Sequence, residues 1–336
     1  MRLALVLLLL AAGHARAGEA VPPPGERPVK VDVGFYLLNL TSVDERTESF
    51  NADIYILFRW NDPRLKHEGK DPQFFAGGGV GEKLEEIWSP QIEFVNTGQP
   101  EITNQNLGIL PDGTVLYAMG LTSNFRADLD LRRFPFDRQR LAVRVRSFVY
   151  QIADVVMAPD PEKIGFEPES SFEGLRVKSV SAESVRKTEG WGGDYSEFRA
   201  RIDVERGTGF YFWTVFGPVV LIFVISCSAF LVPPTEFSAR IGICLTALLA
   251  CIATQFALSF SLPQIDYLTL IDRLFVITHA FILLTALILS AEALLVGGDQ
   301  RHRARVSRLT GLAVLAAYLG LLAAAMVACP ITRANK

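Results

Sequence analysis

The sequence predicts an extracellular antiparallel β-sandwich, immunoglobulin-like in class, followed by a four-helix transmembrane bundle. Three observations carry this expectation. Up to about residue 208 the chain is charged and soluble in character, and beyond it long apolar runs dominate. Between Val31 and about Val204 apolar and polar residues alternate with period two, the pattern of half-buried strands. The downstream apolar runs are each long enough to cross a hydrocarbon core of ~30 Å.

Taken in order, Met1-Arg2 and the apolar stretch Leu3 to Ala12 form a basic start and a core too short to span a bilayer. Ala15-Arg16-Ala17 supplies small residues at the expected cleavage spacing, so residues 1–17 read as a signal peptide. Residues 18–30, with Pro22-Pro23-Pro24-Gly25, read as a flexible lead-in to a soluble domain spanning 18–208. In that domain Ile54, Ile56, Phe58 and Trp60 share one strand face, opposite Asp53, Tyr55, Leu57 and Arg59. Leu141, Val143, Val145 and Val149 are expected to face inward, with Arg144, Arg146 and Phe148 outward. Phe198, Ala200, Ile202 and Val204 alternate with Arg199, Arg201, Asp203 and Glu205. Pro111-Asp112-Gly113 is a turn, Gly77-Gly78-Gly79 a flexible turn, and one short helix is allowed after Phe35 or near Gly81–Glu86.

The membrane part, 209–336, holds spans at about 209–232, 239–260, 269–296 and 309–329. A short loop, 297–308, joins the last two and carries Arg301, Arg303, Arg305 and Arg308. Positive-inside bias places that loop in the cytoplasm. Four crossings then leave both the sandwich and the C-terminal tail outside the inner membrane, in agreement with the signal peptide. All four cysteines, Cys227, Cys244, Cys251 and Cys329, fall in the spans, so no disulfide framework is expected in the exported domain. Cys244 and Cys251 share one helical face, for which packing is the default role.

Composition narrows the function classes. A formal charge of −3 argues against a nucleic-acid partner. There is no metal-spaced His/Cys cluster, phosphate-cradling glycine loop or nucleophile elbow, so no enzyme, cofactor or metal is expected. His279 and Glu292 lie inside the third span, where an ionisable group serves either gating chemistry or a packed, hydrogen-bonded role.

The second span differs from its neighbours. Gly242, Thr246, Leu249, Ala253, Phe256 and Phe260 recur at spacings of four, three, four, three and four, one continuous helical stripe. It grades from small and hydroxylated at its start to bulky and apolar at its end. Such a stripe serves either helix packing or the lining of an aqueous pore.

One loop decides the reading. Leu131-Arg132-Arg133-Phe134-Pro135-Phe136-Asp137 sets an aromatic-proline-aromatic wedge beside a charge, with Pro135 free to be cis. Together with Trp60-Asn61-Asp62-Pro63-Arg64-Leu65, Trp88-Ser89-Pro90, Pro111-Asp112-Gly113 and the ordered spans, it resembles the pentameric ligand-gated ion channels, the Cys-loop receptor superfamily. The two cysteines that close this loop in animal members fall here at Ala127 and Leu141, which is similar to the prokaryotic branch.

The resemblance implies a homopentamer in the lipid bilayer that binds a small-molecule agonist and passes inorganic ions. It implies a pore lined by the second span, with Arg240 at its inner mouth, Leu249 at a central ring and Phe256 at an outer aromatic gate. Ala239-Arg240 is similar to the anion-selective members, so anions are expected, with Glu236 as the acidic alternative for cations. For coupling, it implies an acid–base–acid cluster of Glu45, Arg206 and Asp137, and a loop pressing through Pro135 on Pro263. For the agonist, it implies Tyr55 on one subunit facing Phe148, Trp191 and Tyr195 on the next. Arg146 there would disfavour a cationic ligand and suit a carboxylate. The rival reading is a non-conducting receptor whose spans only anchor it.

Overall fold

A computed structural model describes residues 21–25, 27–170, 174–190, 192–260, 266–295 and 299–327. The expected signal peptide, Trp191, Pro263 and Cys329 lie outside the described residues. The soluble half contains β1 (Val29–Asp44), β2 (Ser49–Asn61), β3 (Gln73–Ala76), α1 (Gly78–Glu86), β4 (Ile92–Phe94), β5 (Glu101–Ile109), β6 (Thr114–Arg126), β7 (Arg138–Ser147), β8 (Val155–Phe166), β9 (Leu175–Thr188) and β10 (Asp194–Arg206). One sheet orders β3-β5-β6-β2-β1-β8, and the other β4-β7-β10-β9. Every pair is antiparallel except β1 with β8, which run parallel along one edge.

Period two does the work of closing the sandwich. Ile54, Ile56, Phe58 and Trp60 are all buried on β2, as are Leu141, Val143 and Val145 on β7 and Phe198, Ala200, Ile202 and Val204 on β10. Burial of one large apolar side chain contributes roughly 1.5–3 kcal/mol, so these inward rows dominate the sandwich's stability. Trp60 meets Trp88 edge-on at 6.2 Å, and Phe50 stacks on Phe125 at 5.3 Å. Ala127 and Leu141, the two positions that the resemblance matches to the loop cysteines, are themselves buried and join the core by packing. The β5–β6 turn needs Gly113 at φ +84, where an added Cβ would stand 2.5 Å from the Asp62 carbonyl oxygen.

Two local expectations fail here, the inward Val149 and the flexible glycine turn, while the short helix allowed near Gly81–Glu86 does form. Val149 is 56% exposed rather than inward, because β7 ends at Ser147 and the alternation stops with the strand. The short helix forms over Gly78–Glu86, starting directly from the glycine run, while the stretch after Phe35 stays in β1.

Four helical segments are long and apolar enough to cross a membrane. The first is built from α2 (Gly209–Tyr211), a π-helical turn (Phe212–Phe216), α3 (Gly217–Cys227) and a 3-10 turn (Ser228–Leu231). The others are α4 (Phe237–Ser259), α5 (Leu270–Leu295) and α6 (Gln300–Val327). Within the expected loop 297–308, residues 300–308 are helix, since α6 already begins at Gln300. The Asp299 carboxylate accepts the Gln300 N–H at 2.7 Å and its carbonyl accepts from His302 and Arg303. Arginine and alanine favour helix as strongly as the apolar residues that follow, so hydropathy marks where lipid begins and not where the helix does.

Candidate functional site

The joint between the two halves is a charge cluster. Strand β10 ends on Arg206, whose Nε donates to Asp137 Oδ1 at 3.0 Å and whose Nη2 lies 2.6 Å from Glu45 Oε1. Arg206 and Asp137 are almost wholly buried, and Glu45 is partly so. Gln139 Nε2 donates to the second Asp137 oxygen at 2.5 Å and ties it to the Asp130 carbonyl. The guanidinium also sits over the Phe134 ring at 4.9 Å and the Tyr211 ring at 5.8 Å. Burial works to lower the Arg206 pKa, but Asp137 and Glu45 outweigh it and raise it above the ordinary arginine value. The expected trio of Glu45, Asp137 and Arg206 is therefore brought together.

The loop 131–137 contacts the membrane half on two sides. The Phe134–Pro135 bond is cis. Phe134 meets Tyr211 at 4.9 Å and Phe136 meets Phe216 at 5.6 Å, both in the first membrane segment. The second contact comes from the segment after α4. There Tyr267 accepts the Leu131 N–H at 3.1 Å, and Arg132 lies over its ring at 4.7 Å. Sequence reasoning missed Gln139, Tyr211 and Tyr267. Only the last two carried any signal, as aromatics beside a membrane boundary. Tyr267→Phe should leave the buried Leu131 N–H without its acceptor, at a cost of roughly 1–3 kcal/mol. Hydrogen exchange at Leu131 should accelerate, and unchanged exchange would show that the hydroxyl holds nothing.

The expected ligand residues separate into two exposed faces. Tyr55, 45% exposed on β2, lies across Gly120 of the six-stranded sheet, where a Cβ would meet its ring at 2.6 Å. Phe148, 68% exposed, stands beyond the end of β7 in the other sheet. Arg146 is a correction. It is buried rather than outward and open, because two acids draw it in. Its Nε donates to Glu93 at 3.0 Å, its Nη1 bonds Glu189, and its guanidinium lies 5.3 Å from the centre of the Tyr195 ring. Burial alone would lower its pKa, but Glu93 and Glu189 raise it, so the cation is already neutralised. A groove of about 1170 Å³, also missed from sequence, opens beside Phe148, with Trp88, Phe94, Ile102, Tyr117 and Met119 among its walls.

Helix α4 presents two faces. Arg240, Cys244, Ala247 and Cys251 are buried against the other helices, which gives both cysteines their packing role. On the other side Thr246, Leu249, Ala253, Phe256 and Phe260 are exposed and Gly242 is half-buried. Phe256 and Phe260 meet edge-on at 4.9 Å. Arg240, expected at the pore mouth, points instead into the bundle and is 1% exposed. Its Nε donates to the Ala229 carbonyl at 3.0 Å, and its Nη2 reaches Glu292 at 3.1 Å and Ser307. A charge at this depth needs a full set of partners, and only the packed face offers them. Glu292 thereby takes a packed role, while Glu236, just before α4, stays exposed.

This architecture is that of a multi-pass membrane receptor with an extracellular N-terminal domain seated on four membrane-spanning helices. The family model for the neurotransmitter-gated ion-channel ligand binding domain matches residues 14–208. The chain belongs to that family, the pentameric ligand-gated ion channels. It is similar to the proton-gated ion channel of Gloeobacter violaceus, 28% identical over 267 residues, covering 77% of this chain and 72% of the relative. It is also similar to the gamma-aminobutyric acid receptor subunit beta-4 of Gallus gallus, 25% identical over 276 residues (79% and 55%). The glycine receptor subunit beta of Rattus norvegicus is 28% identical over 260 residues (73% and 51%). The chain thus spans about half the length of these two animal subunits.

Proposed function

We propose that the protein is a homopentameric ligand-gated ion channel of the prokaryotic branch, opened by a small molecule bound between adjacent sandwiches. The observation that carries this reading is the bare stripe of α4. Within one subunit the packing face of α4 is already used, so Thr246, Leu249, Ala253 and Phe256 are left for a shared axis. Five copies would line an inner mouth that wets and an outer ring that does not, a gate that closes by dewetting.

Selectivity turns on the same helix. Because Arg240 spends its charge on Glu292 inside the bundle, the exposed charge nearest the mouth is Glu236. We therefore replace the anion expectation with a cation preference, since the exposed ring sets the sign. Reversal potentials in a KCl gradient should show cation passage that weakens in Glu236→Gln; an anion reversal in the unmodified protein would overturn it.

For the agonist, Tyr55 and Phe148 face outward from opposite sheets, as two halves of a site built across a subunit boundary would. With Arg146 neutralised by two carboxylates, the surroundings of Phe148 and Tyr195 favour an ammonium over a carboxylate. Purified protein in planar bilayers, screened against amines and acids, tests this. Phe148→Ala should weaken the effective amine about 2–30-fold, the ~0.5–2 kcal/mol of one cation–π contact, without loss of folding. An agonist that acts equally on Phe148→Ala, or that is a carboxylate, contradicts the assignment.

A further inference from the structure

One transverse row of the six-stranded sheet is built to be flat, and the agonist reading uses only Tyr55 from it. Gly165 on β8 pairs with Tyr36 on β1, and Tyr36 pairs with Tyr55 on β2. Tyr55 in turn pairs with Gly120 on β6, and Gly120 with Asn104 on β5. Residues directly opposite one another in neighbouring strands project to the same side, so the whole row shares the outward face. Tyr36 and Tyr55 are both exposed there.

The glycines set how the rings lie. A Cβ on Gly165 would stand 3.0 Å from Tyr36 Cε2, and one on Gly120 would stand 2.6 Å from Tyr55 Cε1. Each ring therefore lies down across the bare backbone of the next strand, Tyr36 towards β8 and Tyr55 towards β6. Glu167 accepts the Tyr36 hydroxyl at 3.3 Å, and Asn104 closes the other end of the row by accepting the Gly120 N–H at 2.9 Å. The outcome is a level aromatic floor.

A carboxylate stands beside it. Asp53 precedes Tyr55 by two residues on the same face, ~6.6 Å along the strand. Thr122 Oγ1 donates to Asp53 Oδ1 at 2.6 Å, and Oδ2 has neither a hydrogen-bond donor nor a cation among the described residues. The cations of this face are engaged elsewhere. Lys30 and Arg59 both pair with Asp32, and Arg59 also reaches Asp160. A flat aromatic surface with an unpaired carboxylate one step away has the layout of a planar ring that carries an ammonium on a short tether.

Resting on the agonist reading above, in which Tyr55 faces the next subunit's Phe148, we propose that Tyr36 and Asp53 make that site specific for an arylalkylamine. The planar ring stacks on the tyrosine floor, and the ammonium donates to Asp53 while Phe148 closes over it. A saturated ring of the same size is puckered and meets a level floor at only a few atoms. A quaternary ammonium has no N–H for Asp53.

The test titrates full-length protein in detergent by saturation-transfer NMR with phenethylamine and cyclohexylethylamine, which carry one charge on the same tether. Apolar burial alone would favour the saturated ring, so a preference for the planar one reports stacking. The unmodified protein should bind phenethylamine about 2–10-fold more tightly. Tyr36→Leu should reduce that preference and Tyr36→Phe should keep it, since the ring carries it. Asp53→Asn should weaken both amines about tenfold and leave their ratio unchanged. Equal binding of the two amines, a preference that survives Tyr36→Leu, or an Asp53→Asn variant of full affinity would overturn the proposal. Phe148→Ala separates this inference from the reading beneath it. Undiminished binding in Phe148→Ala, with the Tyr36 and Asp53 effects intact, would sink the site across the subunit boundary and leave the tyrosine floor standing. Weakened binding in Phe148→Ala, with no effect of Tyr36→Leu, would do the reverse. Absence of binding by either amine would sink both.

Discussion

Replacing Arg206 by alanine should destabilise the protein by about 3–5 kcal/mol and loosen the joint between sandwich and bundle, because it strands a buried carboxylate. Asp137 is 2% exposed and would keep only its bond from Gln139. Glu45 would lose its cation as well, and the two acids would face each other across the gap. Arg206→Lys should recover only part of the loss, since an ammonium lacks the planar fork that meets both acids and lies over Phe134. Thermal unfolding of detergent-purified protein reads the stability term. Arg206→Gln with Asp137→Asn removes the cation and the more deeply buried acid together, leaving only the partly exposed Glu45 unpaired, and should lie closer to the unmodified protein than Arg206→Ala does. If the double variant is as unstable as the single one, the stranded charge is not the cause. In bilayers the double variant should bind agonist yet respond weakly, since the joint then lacks its ionic clasp.

Leu249→Ser should open the channel without agonist. Leu249 is 69% exposed at the middle of the stripe, between Thr246 and Ala253, so in a pentamer five copies would narrow the axis with apolar side chains. A ring of hydroxyls wets where a ring of leucines excludes water. The resting balance between closed and open should move on the order of 10–100-fold, given that 1.4 kcal/mol is a factor of ten. Phe256→Ala should raise resting leak in the same direction. Stability should change little in either case, because neither side chain packs in the core of its own subunit. Leak and agonist response both unchanged in Leu249→Ser would remove this residue from the gate.

The sandwich was legible because its rows of β-branched and aromatic residues repeat with period two, which leaves one face no choice but the core. The meeting of Glu45, Asp137 and Arg206 was legible through resemblance alone, since the three are far apart in sequence and ordinary in type. What failed did so where a local rule met a tertiary one. An arginine at a helix start reads as exposed, and Arg240 is buried because Glu292, Ser307 and the Ala229 carbonyl converge from three other segments. Arg146 reads as outward by period, yet Glu93 and Glu189 pull it under. Tyr267 carried only the general signal of an aromatic beside a membrane boundary, and its particular partner appears only once the Leu131 N–H is found to need an acceptor. Charge partners that come from distant parts of the chain leave no trace in spacing.

The most direct test of the central claim, that the exposed face of α4 lines the ion path, compares two alanines on opposite faces of that helix. Ala253 is on the bare stripe and Ala247 is 4% exposed on the packed face. Ala253→Cys and Ala247→Cys are recorded in bilayers before and after a charged, membrane-impermeant thiol reagent, with the unmodified protein controlling for the native cysteines. The account predicts that the reagent blocks current through open Ala253→Cys and leaves Ala247→Cys and the unmodified protein unchanged. Equal block at both positions, or block at Ala247→Cys alone, would contradict it.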